Sequence, residues 1–157
     1  MTTTVEGGAV DAEREGRIAV WRDLMAAHDT LMKQFQTELR SEFDLSLPQY
    51  DVLRRLSLAG EACVRMGEVA DALLFSSGAA TKVLDRLVDR GLVERGADPD
   101  DRRTVLVGLT DDGRALFARA QRTHGDSIQE KVGPFASADE RRHVETFLKR
   151  LAAGGRA

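Results

Sequence analysis

The chain has 157 residues, 42% hydrophobic and 31% charged, which suits one folded domain with a real core, and no apolar run approaches the ~18 residues of a membrane span. Its single cysteine, Cys63, excludes an intrachain disulfide and fits a reducing cytoplasm, and the opening MTTTVEGGAVDAEREG lacks the basic flank and apolar run of a secretory signal. The formal net charge of −3 excludes a histone-like polycation, so nucleic-acid binding would have to rest on where the charges sit.

Residues 1–16 are expected to be a disordered lead-in and residues 153–157 a frayed tail, leaving one domain over residues 17–152. A long amphipathic helix is predicted from about residue 14 to 44, because Ile18, Trp21, Leu24, Met25, His28, Leu31, Met32, Phe35, Leu39 and Phe43 recur at steps of three, one and four. That stripe is too long and too apolar for a small domain to cover alone. A second helix opens at Leu45-Ser46-Leu47-Pro48-Gln49. Ser46 and Gln49 form a capping-box pattern, and Pro48 sits in the first turn, where a missing N–H costs nothing. Cys63-Val64-Arg65-Met66 reads as a short extended segment, expected to be a minor strand pairing with the hairpin further on, with Cys63 a partly buried small hydrophobe. Gly67 to Leu73 forms a short positioning helix with Gly67 as an acceptable N-cap.

The stretch from Leu73 to Thr110 is the most informative. Ser76-Ser77-Gly78 opens a helix whose inward positions are Ala80, Val83, Leu84, Leu87 and Val88, and Gly91 stops it by allowing a left-handed residue. Its outward positions carry polar groups. Two short strands, Leu92–Arg95 and about Thr104–Leu109, then flank an arginine-bearing tip. A polar-faced helix followed at once by an Arg-tipped hairpin predicts a winged helix-turn-helix, the helix entering the major groove of DNA and the hairpin reaching the neighbouring minor groove or backbone. Backbone N–H groups at the helix start are a ready phosphate site, to which Ser76 and Ser77 add hydroxyls; simple capping is the plainer role for either serine, and the two roles are compatible. Ser77, Gly78, Thr81 and Lys82 lie where base edges would be met, Lys82 suiting guanine and the Thr81 methyl suiting thymine. Arg86, a turn later, suits a phosphate or an ion pair with Asp85 or Asp89, and Arg95 and Arg102 suit backbone contacts. Asp85, Asp89, Asp98, Asp100 and Asp101 dilute the patch, so salt-sensitive binding of moderate strength is expected. Beyond the hairpin, Thr110 caps a helix to about Lys131, Gly133-Pro134 breaks it, and Ser137 with Glu140 forms a second capping box before the stripe Val144, Phe147, Leu148 and Leu151. The fold class is therefore mainly α with a small β-hairpin wing, the winged lobe spanning residues 46–110 between helices at 17–44 and 111–152.

The run FSSGAATKVLDRLVDRGLVER, the DPDDRR wing and the closing Leu109-Thr110 resemble the MarR family of bacterial transcription regulators. The likeness extends through LSLPQYDVLRRL upstream and LTDDGRALF downstream, roughly residues 17–152. It implies a cytoplasmic homodimer, with the 17–44 and 111–152 helices as dimerisation helices, bound to double-stranded DNA at a palindromic operator. In the wing, Asp101 and Arg103 match the family's Asp-x-Arg, implying that Asp101 aims Arg103 into a narrow minor groove; a surface ion pair holding the hairpin's shape is the plainer alternative. The resemblance further implies a repressor released by a small aromatic or lipophilic ligand, held between the dimerisation helices and the winged lobe. Trp21, Met25, His28 and Tyr50 are candidates to line that site, against an ordinary core role. Family members often have Ser or Thr where Gly67 stands. Its thiol sensors place the reactive cysteine near the start of the first helix, and none stands there.

Enzyme chemistry is not expected. His28, His124 and His143 lack metal-ligand spacing, and the chain has no G-x-S-x-G, phosphate loop or dinucleotide fingerprint, so neither a metal nor a cofactor is expected. The acids of the wing lack the alternation, glycine and distal glutamate of a calcium loop. The competing reading is a winged-helix protein-interaction module that does not read DNA.

Overall fold

The structure is a computed structural model. It describes residues 5–73, 76–99, 101, 103–135 and 137–154, with only the backbone course for 5–10, 77 and 135. The chain divides into two compact units, Met1–Tyr50 and Asp51–Ala157.

The first unit is built on α1, Val5–Phe43. The helix begins well before the apolar stripe, so the expected lead-in is helical from Val5 onward. The side chains of residues 11–17 are exposed. Helix-forming Ala, Glu and Arg residues favour it, and Glu13 and Arg17, one turn apart and both largely exposed, pair at 2.6 Å. Asp44 closes the helix in the left-handed region (φ 51°), which lets the Leu45 N–H reach back to the Leu39 carbonyl at 3.0 Å. Burial falls along the stripe: Phe35, Leu39 and Phe43 are buried, Leu24, Met25, Leu31 and Met32 are half-buried, and Ile18 and Trp21 are 43% and 57% exposed. The Ser46–Gln49 capping box is present in both directions: Ser46 N–H donates to Gln49 Oε1 at 2.8 Å, and Gln49 N–H to Ser46 Oγ at 3.3 Å. It starts α2, Leu47–Leu58, which continues into the second unit.

The second unit carries β1 (Val64–Arg65), α3 (Met66–Ala72), α4 (Ser77–Asp89), β2 (Val93–Ala97), β3 (Val105–Leu109), α5 (Asp111–Val132), a 3₁₀ turn (Gly133–Phe135) and α6 (Ala138–Gly154). The strands form an antiparallel sheet in the order β1-β3-β2, with Val64 opposite Val107 and Arg95 also opposite Val107 on the other side. The predicted pairing of the Cys63–Met66 segment is thus present. Its core is Leu53, Leu56, Val69, Leu84, Leu87, Val93, Val107, Leu109 and Phe117, all buried. Val83 and Val88, predicted inward on α4, are only half-buried, at the flanks of its apolar face. Two expectations are corrected. Gly67 is not an N-cap: α3 starts one residue earlier, with Arg65 in the cap position and no side-chain bond. Cys63 is exposed rather than partly buried, because it sits in the bend between Gly60 and β1.

Two closures hold the unit's ends. Gly91 (φ 68°) ends the α4 turn, and Leu92 N–H bonds to the Leu87 carbonyl at 2.9 Å. The Thr110 hydroxyl then donates to the Gly91 carbonyl at 2.7 Å and accepts from Gly113 N–H at 3.0 Å, joining the end of the α4 turn to the start of α5. The second capping box, Ser137 with Glu140, is also formed (2.7 and 3.3 Å), and its hydrogen bonds hold the Glu140 carboxyl below the usual carboxylate range. Helix α6 continues to Gly154, so the expected tail is helical at its start, and residues 155–157 lie outside the described residues. None of its described side chains is buried: Val144, Phe147, Leu148 and Leu151 are 40–53% exposed.

Candidate nucleic-acid interface

Helix α4 and the β2–β3 wing are consecutive in the chain, and the structure shows how they are tied. Ser76 is the N-cap: its hydroxyl accepts from Ala79 N–H at 3.3 Å, so this serine caps, and its backbone is extended (φ −64°, ψ 151°). Capping leaves the first N–H groups of α4 aimed off its end, where an anion is favoured. The side chain of Ser77 lies outside the described residues. Gly78 is exposed, with open space where a Cβ would stand, and Thr81 is half-buried. Lys82 and Arg86 are exposed, and neither has an ion-pair partner among the described residues.

Arg86 does not pair with Asp85, one of the two acids expected for it. Asp85 is taken by Arg95 of β2, at 2.7 Å. This bridge links α4 to the wing and leaves Arg95 about one-third exposed, a tether as much as a candidate contact. Asp98 is likewise committed: it is buried and lies 3.3 Å from the Arg65 guanidinium. Two of the acids that dilute the basic patch are therefore matched locally.

At the tip, Asp101 organises the turn. Its carboxylate accepts from the Arg103 N–H and the Thr104 hydroxyl, both at 3.0 Å, while its carbonyl accepts from Thr104 N–H at 2.9 Å. The Arg103 guanidinium is 3.6 Å from the same carboxylate and its side chain is 95% exposed. Asp101 thus acts chiefly on the backbone of Arg103, and the guanidinium projects into solvent. Arg102 lies outside the described residues. The bonds from Arg103 N–H and Thr104 hydroxyl hold the Asp101 carboxyl below the usual carboxylate range. A depressed folded value means the contribution is full above the ordinary carboxylate pKa and is lost as pH falls through the folded value. Comparing Asp101→Asn with the parent, the stability difference should be steady near neutrality and shrink as pH falls below about 5 and on through the lowered folded value. A difference independent of pH in urea titrations would show that the carboxylate charge is not what holds the turn.

The candidate ligand residues fall in the first unit. Trp21, Met25 and His28 follow at helical spacing on α1; Trp21 and His28 are exposed and Met25 is half-buried. Tyr50, at the end of that unit, is buried. The second unit has concavities of its own among the described residues, such as one of about 270 Å³ lined by Ser57, Glu61, Arg114 and Phe117 among others and another of about 420 Å³ between α3 and the wing. Residues that sequence reasoning passed over are Arg65, which reaches Asp98, Arg114, whose guanidinium donates to the Gly60 carbonyl at 2.9 Å, and Gly113. Only a glycine in the first turn of α5 was visible as a signal for the last. Among the described residues there is no cluster of His, Cys, Asp or Glu able to hold a metal, and no helix is long and apolar enough to cross a membrane.

A positioning helix, a second helix with an exposed polar face and a three-stranded sheet ending in an arginine-tipped hairpin define a winged helix-turn-helix protein. A MarR family model matches residues 43–104. The chain is 35% identical over 114 residues to the multiple antibiotic resistance protein MarR of Escherichia coli K12, covering 73% of this chain and 78% of that protein. It is 31% identical over 112 residues to the transcriptional regulator PecS of Dickeya dadantii, covering 71% and 67%. The crystal structure of a cysteine-to-serine mutant of E. coli MarR complexed with operator DNA matches with a TM-score of 0.74 and 31% identity, over 86% of this chain and 95% of that one. The chain belongs to the MarR family of transcriptional regulators.

Proposed function

We propose that the protein is a sequence-specific DNA-binding repressor that works as a homodimer on a palindromic operator and is released by a small aromatic or lipophilic ligand. The observation that carries the DNA reading is the exposure of Lys82, Arg86 and Arg103 on a helix and hairpin that are bonded to each other, with Asp85 and Asp98 already matched by other arginines. The N-terminus of α4 takes a phosphate, with Ser76, Ser77 and Gly78 close to the strand. Thr81 and Lys82 meet base edges, Arg86, Arg95 and Arg102 hold backbone, and Arg103 enters the minor groove under the direction of Asp101. The relative solved with operator DNA supports this assignment by likeness of fold and sequence.

The dimer is supported by exposed apolar surface in each unit, on α1 around Ile18 and Trp21 and on α6 along Val144, Phe147, Leu148 and Leu151. Two copies place two reading helices about one turn of DNA apart, ~34 Å, as two-fold operators require. A ligand that prefers another spacing shifts the population away from DNA. Trp21, Met25, His28 and Tyr50 are its proposed contacts. The action is regulatory and cytoplasmic rather than enzymatic.

Arg103→Ala is expected to weaken operator binding by about 1–3 kcal/mol while leaving the melting midpoint nearly unchanged. Lys82→Ala should change which bases are preferred as well as the affinity. Titrations by fluorescence anisotropy on the operator and on base-substituted versions check both; an unchanged affinity for Arg103→Ala means the wing arginine does not touch DNA, and unchanged preferences for Lys82→Ala reduce Lys82 to a phosphate contact.

A further inference from the structure

Asp98 is the only buried carboxylate among the described residues, and no described Lys, Arg or His side chain is buried. It stands at the root of the wing tip, and the guanidinium that meets it comes from Arg65, 33 residues earlier, on β1 at the far side of the sheet. A carboxylate out of water is costly unless a charge partner and hydrogen bonds meet it. A hairpin extending beyond its sheet has little of its own to hold its direction.

A connected set of bonds runs from this pair to the tip. Arg65 is paired through its backbone register with Leu106 of β3, which fixes its base in the sheet. Its guanidinium is 3.3 Å from Asp98 Oδ2. Asp98 N–H bonds to the Thr104 carbonyl at 3.2 Å across the hairpin, and Thr104 is held by Asp101, whose carboxylate also takes the Arg103 N–H. Arg65, Thr104 and Arg103 line one groove between α3 and the wing.

We propose that Arg65 and Asp98 are positioning residues for DNA recognition: their bridge sets the angle of the wing, and so the reach of Arg103, without touching bases. This rests on the DNA reading given above. It makes a prediction opposite in sign to simple electrostatics. Removing an acid beside a DNA-facing arginine should strengthen binding if charge were all that mattered; removing Asp98 should weaken it if the bridge aims the wing.

The test uses the full chain and a duplex selected from a random pool, with parent, Arg65→Gln, Asp98→Asn, Arg103→Ala and the double variant Arg65→Gln/Arg103→Ala. Arg65→Gln and Asp98→Asn should each lower affinity about three- to thirtyfold, a scale common for coupled neighbours. In the Arg103→Ala background, Arg65→Gln should add less than about a twofold loss, because its effect passes through Arg103. Melting midpoints should stay within a few degrees of the parent. Asp98→Asn binding as tightly as the parent or tighter overturns the inference, as do losses for Arg65 and Arg103 that multiply, which would make Arg65 a direct contact. A collapse of the midpoint also overturns it, by showing that the bridge holds the fold and not the aim. A parent that binds no duplex overturns the DNA reading itself. A parent that binds and is weakened by Arg103→Ala but not by Asp98→Asn overturns this inference alone.

Discussion

Replacing Phe147 and Leu151 together by aspartate is expected to make the protein monomeric and to lower its affinity for a palindromic operator by about a hundredfold or more, the scale lost when two linked binding events become separate. Val144, Phe147, Leu148 and Leu151 lie on one face of α6 at helical spacing, yet none is buried. With roughly half of each side chain left to cover, burial is worth about 1 kcal/mol apiece, against about 1.5–3 kcal/mol for complete burial. A charge placed there forfeits that gain and adds a desolvation cost. The melting midpoint of the isolated chain should change little, since these residues support no core within it. Sedimentation and an operator titration check the expectation together. A double variant that remains dimeric and binds as tightly as the parent would place the interface elsewhere.

Gly113→Ala is expected to be the most damaging small change in the second unit, at about 3 kcal/mol or more, the upper end of what overpacking costs. A Cβ on Gly113 would overlap the Leu92 carbonyl, a backbone group that cannot move aside as a flexible side chain could. That carbonyl also accepts from Thr110 N–H at 3.2 Å, and Thr110 Oγ1 accepts from Gly113 N–H. Relief of the overlap would therefore pull on the closure that joins the end of α4, the sheet and α5. At this size a midpoint drop of about 10 °C follows. Thermal and urea unfolding measure it; a variant within about 2 °C of the parent would show that the close approach is absent in solution.

What was legible in the sequence was local or periodic. The two capping boxes, Ser46 with Gln49 and Ser137 with Glu140, depend on residues three apart and read directly from the chain. The same holds for Thr110 as a cap, Gly91 as a stop and the Leu84–Leu87 face of α4. The short strand at Val64 was also visible, because a hairpin edge wants a partner. What was hidden depends on distance in sequence or on small balances. Arg65 meets Asp98 only because β1 joins β3, and Arg95 takes Asp85 only because β2 lies beside α4. Neither pairing has a spacing that reads as a motif. Gly113 looks like an ordinary first-turn glycine until the Leu92 carbonyl is placed against it. The start of α1 was misjudged because the apolar stripe begins at Ile18, whereas helix propensity and the Glu13–Arg17 pair carry the helix back to Val5. In the candidate site, residue types and order were readable, but not the division of labour: Asp101 binds backbone more closely than guanidinium, and Arg95 is partly spent on Asp85.

The central claim is that α4 and the wing read DNA as a two-fold pair. Selection of bound duplexes from a random pool by the purified full-length protein tests it most directly. The expected result is enrichment of one two-fold symmetric site whose half-sites lie about one helical turn, ~10 base pairs, apart. A pool that stays random after repeated rounds, or a single asymmetric half-site bound as tightly as any longer sequence, would contradict it.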